Sequence, residues 1–217
     1  MKERQNRMET YPVHLQLQGK KAVIIGGGKV AERKTAGLLA AGAEVTVISP
    51  ELPEKLHSFL DEGKIKWQKK LFTAEDIAEA FLIIAATNDR AVNLAVKKAA
   101  SANQLLSLSD NPEEANFILP AVIRQGKLTI TVSTLGASPI LARKIKQGIA
   151  ELYGSEYKEY VDFLFATRKW ILKEIKDPSI KRQLLTAITE DSFLHSSNRE
   201  KDLQNLINQI SVDGKDG

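Results

Sequence analysis

A chain of 217 residues with a formal net charge of +4, 43% hydrophobic and 27% charged, has the balance of a globular protein of one large or two modest domains. It contains no cysteine, which excludes disulfides, thiolate catalysis and zinc–thiolate sites, and no apolar run approaches the ~20 residues that span a membrane. Aromatics are only 6% and are not interleaved with the basic residues, so nucleic acid is not an expected partner; solvated helix faces or an anionic small substrate account for the basic balance.

In chain order, residues 1–10 are polar and lack the apolar core of a signal peptide, so a cytoplasmic location is expected. Ala22-Val23-Ile24-Ile25 then runs into Gly26-Gly27-Gly28-Lys29-Val30-Ala31 and a helical pattern over 29–41. This strand, glycine turn and helix form the context that a dinucleotide-binding fingerprint requires. Gly26, Gly28 and Ala31 fall on the three G-x-G-x-x-G/A positions. The first permits a tight turn, the second lets the backbone approach a pyrophosphate, and the third lets the helix pack close to the strand. The helix start, at Lys29 and Val30, offers free N–H groups and a positive dipole end to phosphates. Further buried strands are predicted at 45–48, 81–86 and 105–108, a weaker one at 64–68, and helices at 54–62 and 90–103. The alternation predicts an α/β fold of the Rossmann type, a doubly wound parallel sheet with helices on both faces.

Beyond residue 120 the pattern changes. Residues 127–132 are β-branched and alternate, as in a half-exposed strand, and Ser138 is a natural N-cap with Pro139 at the first helical position of a helix running to about residue 153. Helices follow at 157–176, 178–189 and 202–210, and residues 212–217 are expected to fray.

Ligands of an open α/β sheet bind outside the carboxyl ends of its strands. The glycine turn, Ser49-Pro50-Glu51 and Ala86-Thr87-Asn88 would converge there. Where NAD-binding proteins place an acid for the ribose 2′-OH this chain has Ser49, with Glu51 close enough to substitute and no arginine beside it for a 2′-phosphate, so NAD is expected over NADP. Asp110 ends the fifth apolar run at the same crevice and reads equally as a catalytic carboxylate or as a helix N-cap or Asx turn. His14, His57 and His195 are scattered without ligand spacing, so no metal site is expected. The helix start at Ser138, with Arg143, Lys144 and Lys146 behind it, suits an anion, although a solvated face explains those cations as well.

The glycine turn with Glu32-Arg33-Lys34 behind it and Tyr11-Pro12 ahead, Ala85-Ala86-Thr87-Asn88-Asp89, Asn116-Phe117-Ile118-Leu119-Pro120-Ala121 and Gly136-Ala137-Ser138-Pro139-Ile140-Leu141-Ala142-Arg143 recur here in order. With these motifs the chain, from about residue 11 to 150, resembles the siroheme synthase amino-terminal family, the precorrin-2 dehydrogenases. The resemblance implies NAD-dependent oxidation of precorrin-2 to sirohydrochlorin, in siroheme and sometimes cobalamin synthesis, by a homodimer. It implies an NAD-binding Rossmann domain over residues 1–115, a dimerisation and substrate segment over 116–150 and a helical domain over 151–217. Asp110 matches the catalytic aspartate of that family, and Asn116, Thr134, Ser138 and Arg143 fall at its substrate side, where a macrocycle with eight carboxylates must be met. Asn111 stands where many members carry a second acid, and Thr134-Leu135 replaces the small serine-glycine pair of some bifunctional relatives. Two alternatives are a bifunctional dehydrogenase–ferrochelatase and a non-catalytic NAD-sensing module, the latter having no use for Asp110. The chain stops before any tetrapyrrole methyltransferase domain, so that activity is not expected.

Overall fold

The computed structural model describes residues 10–213; residues 1–9 and the last four of the tail expected to fray lie outside it. The chain folds as two compact units divided between Leu119 and Pro120. No helix among the described residues is long and apolar enough to cross a membrane.

The first unit contains β1 (Lys21–Ile25), α1 (Lys29–Ala40), β2 (Glu44–Ile48), α2 (Glu54–Asp61), β3 (Ile65–Gln68), β4 (Leu82–Ala85), α3 (Arg90–Ala99) and β5 (Leu105–Leu108). All five strands are parallel, in the order β3-β2-β1-β4-β5. Successive side chains of a strand face opposite sides, so the continuous apolar runs feed two cores. Ala22, Ile24, Val45, Val47, Leu82 and Ile84 pack with Ala31 and Leu38 of α1 and Leu56 of α2. Val23, Ile25, Ile48, Ile83 and Ala85 pack on the other face with Val96 of α3 and with Ile77 of a short 3₁₀ turn, Ala74–Ile77. Ile24, Ile83 and Ile84 are wholly inaccessible, each contributing roughly 1.5–3 kcal/mol of transfer free energy. The strand order reverses between β1 and β4, which sets the ligand crevice there.

One helix end differs from its expected position. The helix predicted to run to residue 103 ends at Ala99, because buried Gln104 needs a turn beneath it. The Gln104 amide donates to the carbonyls of Ile77 and Ala80 at 2.5 and 2.8 Å, while its oxygen accepts from the Ser101 N–H at 2.8 Å. Asn116 and Phe117, expected in the dimerisation segment, belong to the first unit. Phe117 packs into its core, and Asn116 runs along β5, its N–H and both side-chain amide atoms bonded to the β5 edge. That arrangement closes an exposed edge with something other than a strand.

The second unit opens with an antiparallel pair, β6 (Ala121–Gln125) and β7 (Leu128–Val132), of which only β7 was predicted. Gly126 leads the two-residue turn between them with φ +59°, the positive φ that such hairpins demand of their first residue. Helix α4 (Pro139–Leu152) packs on both strands. Helices α5 (Glu156–Glu174), α6 (Pro178–Ala187), α7 (Asp191–Leu194) and α8 (Arg199–Asp213) surround a core of Tyr160, Ile171, Leu184, Ile188 and Phe193. Helix α8 runs to Asp213, past the end expected at residue 210 and into the first residues of the tail expected to fray.

Candidate active site

The glycine turn leaves β1 at the reversal point. Gly26 has φ +111°, and a Cβ there would lie 2.5 Å from the Ala86 carbonyl oxygen, so only glycine fits between β1 and β4. Gly27, which the fingerprint leaves unspecified, is as tightly held: its Cβ would lie 2.3 Å from the Glu51 carbonyl oxygen and 3.1 Å from Ser49 Oγ. Gly28 is different. A Cβ there would meet nothing within 4 Å, so its bareness keeps open a space that the protein does not fill. Gly28 caps α1 without a side-chain hydrogen bond, and the first bond of the helix runs from the Glu32 N–H to the Gly28 carbonyl. The N–H groups of Lys29, Val30 and Ala31 thus stand at an uncapped helix start, where an anion is favoured. Ala31 itself is inaccessible and lets α1 sit against the sheet.

The turn forms one wall of a crevice of about 460 Å³, within the range of small-molecule sites. Its other walls are Ser49, Pro50 and Glu51 after β2, Lys70, Leu71 and Phe72 after β3, and Thr87, Asn88 and Asp89 after β4. The Lys70–Phe72 wall was not foreseen, because β3 is short and its chain end carries no motif. Ser49 is 3% exposed, and its hydroxyl is the one buried side-chain polar atom among the described residues with no hydrogen-bond partner. Burying an unsatisfied hydroxyl costs about 1–3 kcal/mol, so a hydroxyl left without a partner at a crevice wall is suited to a ligand. The Glu51 side chain makes no hydrogen bond or ion pair among the described residues.

Thr87 is spent on structure: its hydroxyl lies 2.8 Å from Oδ1 of buried Asn93 and 2.9 Å from the Asp89 carbonyl. Asp89 caps α3, accepting from the N–H groups of Ala91 and Val92. Asn88 also lines the crevice, and its side chain makes no hydrogen bond among the described residues. Asp110, expected at the crevice, lies two residues past β5 rather than at its end and is not among the residues that line the crevice; it is exposed and without a hydrogen bond or ion pair among the described residues. The N-cap position of the 3₁₀ turn that follows, Pro112–Glu114, is Asn111 and not Asp110, and no side chain caps it. The capping alternative for Asp110 is thereby removed.

In the second unit, Ser138 caps α4 by accepting from the Leu141 N–H at 3.1 Å. The Thr134 hydroxyl clamps the same turn, donating to the Ser138 carbonyl at 3.0 Å and accepting from its N–H at 3.1 Å. Between them Leu135 is held at φ +50°, a left-handed conformation that costs an L-residue about 1 kcal/mol or more. Arg143 is exposed on α4 and unpaired among the described residues.

A parallel sheet with a glycine turn, an uncapped helix start and a crevice at its reversal point defines a dinucleotide-binding α/β protein. Residues 13–121 match the family described as putative NAD(P)-binding, residues 125–152 the sirohaem biosynthesis protein central family, and residues 157–202 the SirC C-terminal domain. The chain is 32% identical to the precorrin-2 dehydrogenase of Priestia megaterium over 91% of its own length and 98% of that protein's. It is 34% identical to the Bacillus subtilis precorrin-2 dehydrogenase over 73% of itself and 98% of that protein. It is also 37% identical to the siroheme synthase of Nitrosococcus oceani, spanning 40% of that longer chain. The solved structure of SirC, precorrin-2 dehydrogenase, superposes with a TM-score of 0.81 at 32% identity, covering 92% of this chain and all of that one. The chain belongs to the precorrin-2 dehydrogenase family, and the siroheme synthases share this part of their length with it.

Proposed function

We propose that this protein is an NAD-dependent dehydrogenase that oxidises precorrin-2 to sirohydrochlorin in siroheme synthesis. The observation that carries the reading is the crevice at the β1–β4 reversal, in a chain that aligns almost end to end with a precorrin-2 dehydrogenase. The residues present fit a dinucleotide: two glycines without room for a Cβ, a third facing empty space, an uncapped helix start and an orphaned hydroxyl. Gly26, Gly28, Lys29, Val30 and Ala31 would hold the pyrophosphate. Ser49, Pro50 and Glu51 would hold the adenine-side ribose, and Thr87 and Asn88 would line the path toward the nicotinamide. Bound NAD supplies the hydride acceptor.

Removing two hydrogens from a carbon framework leaves one proton once the hydride has gone. Asp110 takes it, through an exposed carboxylate that no neighbour occupies. The α4 start at Ser138, shaped by Thr134, and the free Arg143 recognise substrate carboxylates, while Asn116 acts by pinning its segment to β5. A preference for NAD over NADP rests on Ser49 and Glu51, with no arginine beside them. We also propose a homodimer. Ile140, Leu141, Ile145 and Leu152 of α4 are exposed, Ile140 and Leu152 by 78% and 72%, and a partner copy would cover them. Steady-state turnover of precorrin-2 with NAD and with NADP tests the reading. A higher kcat/KM with NADP would contradict the cofactor preference, and no NAD-dependent turnover would contradict the function.

A further inference from the structure

One charged pair borders the crevice with no part in the reading above. Lys70 lies two residues past the carboxyl end of β3 and Ser49 one past that of β2, neighbouring strands whose register ends at Ile48 opposite Gln68. The Ser49 and Lys70 N–H groups both reach the Gln68 carbonyl, at 3.3 and 2.9 Å, which fixes the two residues side by side on the crevice wall. This is the end of the crevice where a dinucleotide-binding sheet reads the ribose, with an acid for a 2′-OH or a cation for a 2′-phosphate. A lysine here would be that cation. Its ammonium, however, is bonded to Asp76 at 2.5 Å.

Asp76 is well placed to hold it. Its side chain is only 6% exposed, against 41% for Lys70. Its second carboxylate oxygen accepts from the Thr73 N–H at 2.8 Å and lies 3.3 Å from the Thr73 hydroxyl, in a capping box that fixes the carboxylate on the 3₁₀ turn. Burial pushes the Asp76 carboxyl up, but the hydrogen bonds from Lys70 and Thr73 and the charge of Lys70 outweigh it and hold the pKa below the usual aspartate value. Asp76 does not line the crevice, so the ammonium is drawn toward a carboxylate set behind the wall.

We propose that Asp76 is a specificity-positioning residue. It ties back and neutralises Lys70, so that the ribose end of the crevice offers the exposed Glu51 but, among the described residues, no free cation for a 2′-phosphate. The inference rests on the reading of the crevice as a nicotinamide-dinucleotide site and deepens it: preference for NAD comes from a cation withheld as much as from an arginine missing.

The test is calorimetric titration of NAD and of NADP into the whole protein and into Asp76→Asn and Asp76→Asn/Lys70→Met. Asparagine keeps an oxygen for the Thr73 N–H but has no charge to hold Lys70; Asp76→Ser, also a capping residue, serves if asparagine does not fold. A hydrogen bond to a charged group is worth about 1.5–3 kcal/mol. The ratio of NADP to NAD affinity should therefore rise about ten-fold or more in Asp76→Asn and fall back in the double variant. A ratio that stays at the wild-type value in Asp76→Asn, while the wild type binds NAD, overturns the inference and leaves the site reading intact. A gain that survives removal of Lys70 also overturns it, because the charge is then not that of Lys70. Binding of neither cofactor by the wild type overturns the site reading itself, and the inference with it.

Discussion

Replacing Gly28 by aspartate separates ligand binding from folding better than any other change in the glycine turn. Gly28 has φ −85° and ψ −177°, a conformation any residue adopts, and a Cβ there meets nothing within 4 Å. It is also the N-cap of α1, a position at which aspartate is among the best residues and glycine only slightly worse, so stability should change by a few tenths of a kcal/mol. Gly26 and Gly27 offer no such test, because a Cβ at either would overlap backbone at 2.5 or 2.3 Å and the fold would shift. The new carboxylate would cap the N–H groups meant for the pyrophosphate and set a negative charge against it. At a separation of ~4 Å and an effective dielectric constant near ~20, that repulsion is about 4 kcal/mol, or roughly a thousand-fold in affinity. Even a water-like dielectric leaves about 1 kcal/mol, several-fold in affinity. Isothermal calorimetry with NAD is the assay, with a thermal melt to verify the fold. A folded Gly28→Asp protein that binds NAD as the wild type does would refute the placement of the pyrophosphate.

Four further outcomes are expected. Asp110→Asn should lose ~10²–10⁴-fold in turnover while binding NAD normally, the scale of a positioned general base; near-normal turnover means that the proton goes elsewhere. Arg143→Ala should raise the KM for precorrin-2 and spare NAD affinity, whereas equal weakening of both ligands points to a structural role. Leu135→Gly should stabilise the protein by about 1 kcal/mol, because glycine tolerates the left-handed φ that leucine is forced into, and denaturant unfolding measures it. The Asp76 carboxyl titrates below its usual value in the folded protein, so the unfolded chain takes up the proton first. Its contribution is complete above the ordinary carboxylate range and is lost as pH falls through the folded value; stability of Asp76→Asn should therefore fall less steeply below about pH 4.

The sheet was legible in the sequence because parallel strands covered on both faces are written as unbroken apolar runs, and the glycine turn because Gly26 and Gly28 stand between such a run and a helix. What escaped depends on partners distant in the chain. Residues 121–125 have no decisive alternation of their own and become a strand by pairing with β7 across the turn at Gly126 and Lys127. That glycine ahead of the predicted strand was the available signal. Helix α3 stops early for the sake of Gln104, whose partners Ile77 and Ala80 lie more than twenty residues away. At the candidate site, the ends of β1, β2 and β4 could be placed from their motifs. Gly27 and Lys70 could not, since one is defined by the Glu51 carbonyl above it and the other by the register of a short edge strand. Asp110 was singled out by its position after an apolar run, and what the sequence left open was whether it is a cap; the N-cap position of the next turn is Asn111.

The central claim is that the crevice and Asp110 together take a hydride and a proton from precorrin-2. It is tested most directly by the stoichiometry of a single anaerobic incubation of the wild-type protein with precorrin-2 and excess NAD, followed by absorbance with and without added ferrous iron. One reduced nicotinamide formed for each sirohydrochlorin, at a rate unchanged by iron, is the predicted result. NAD that binds but is not reduced while precorrin-2 remains unchanged would contradict the account and mark the protein as a dinucleotide-binding module without this chemistry.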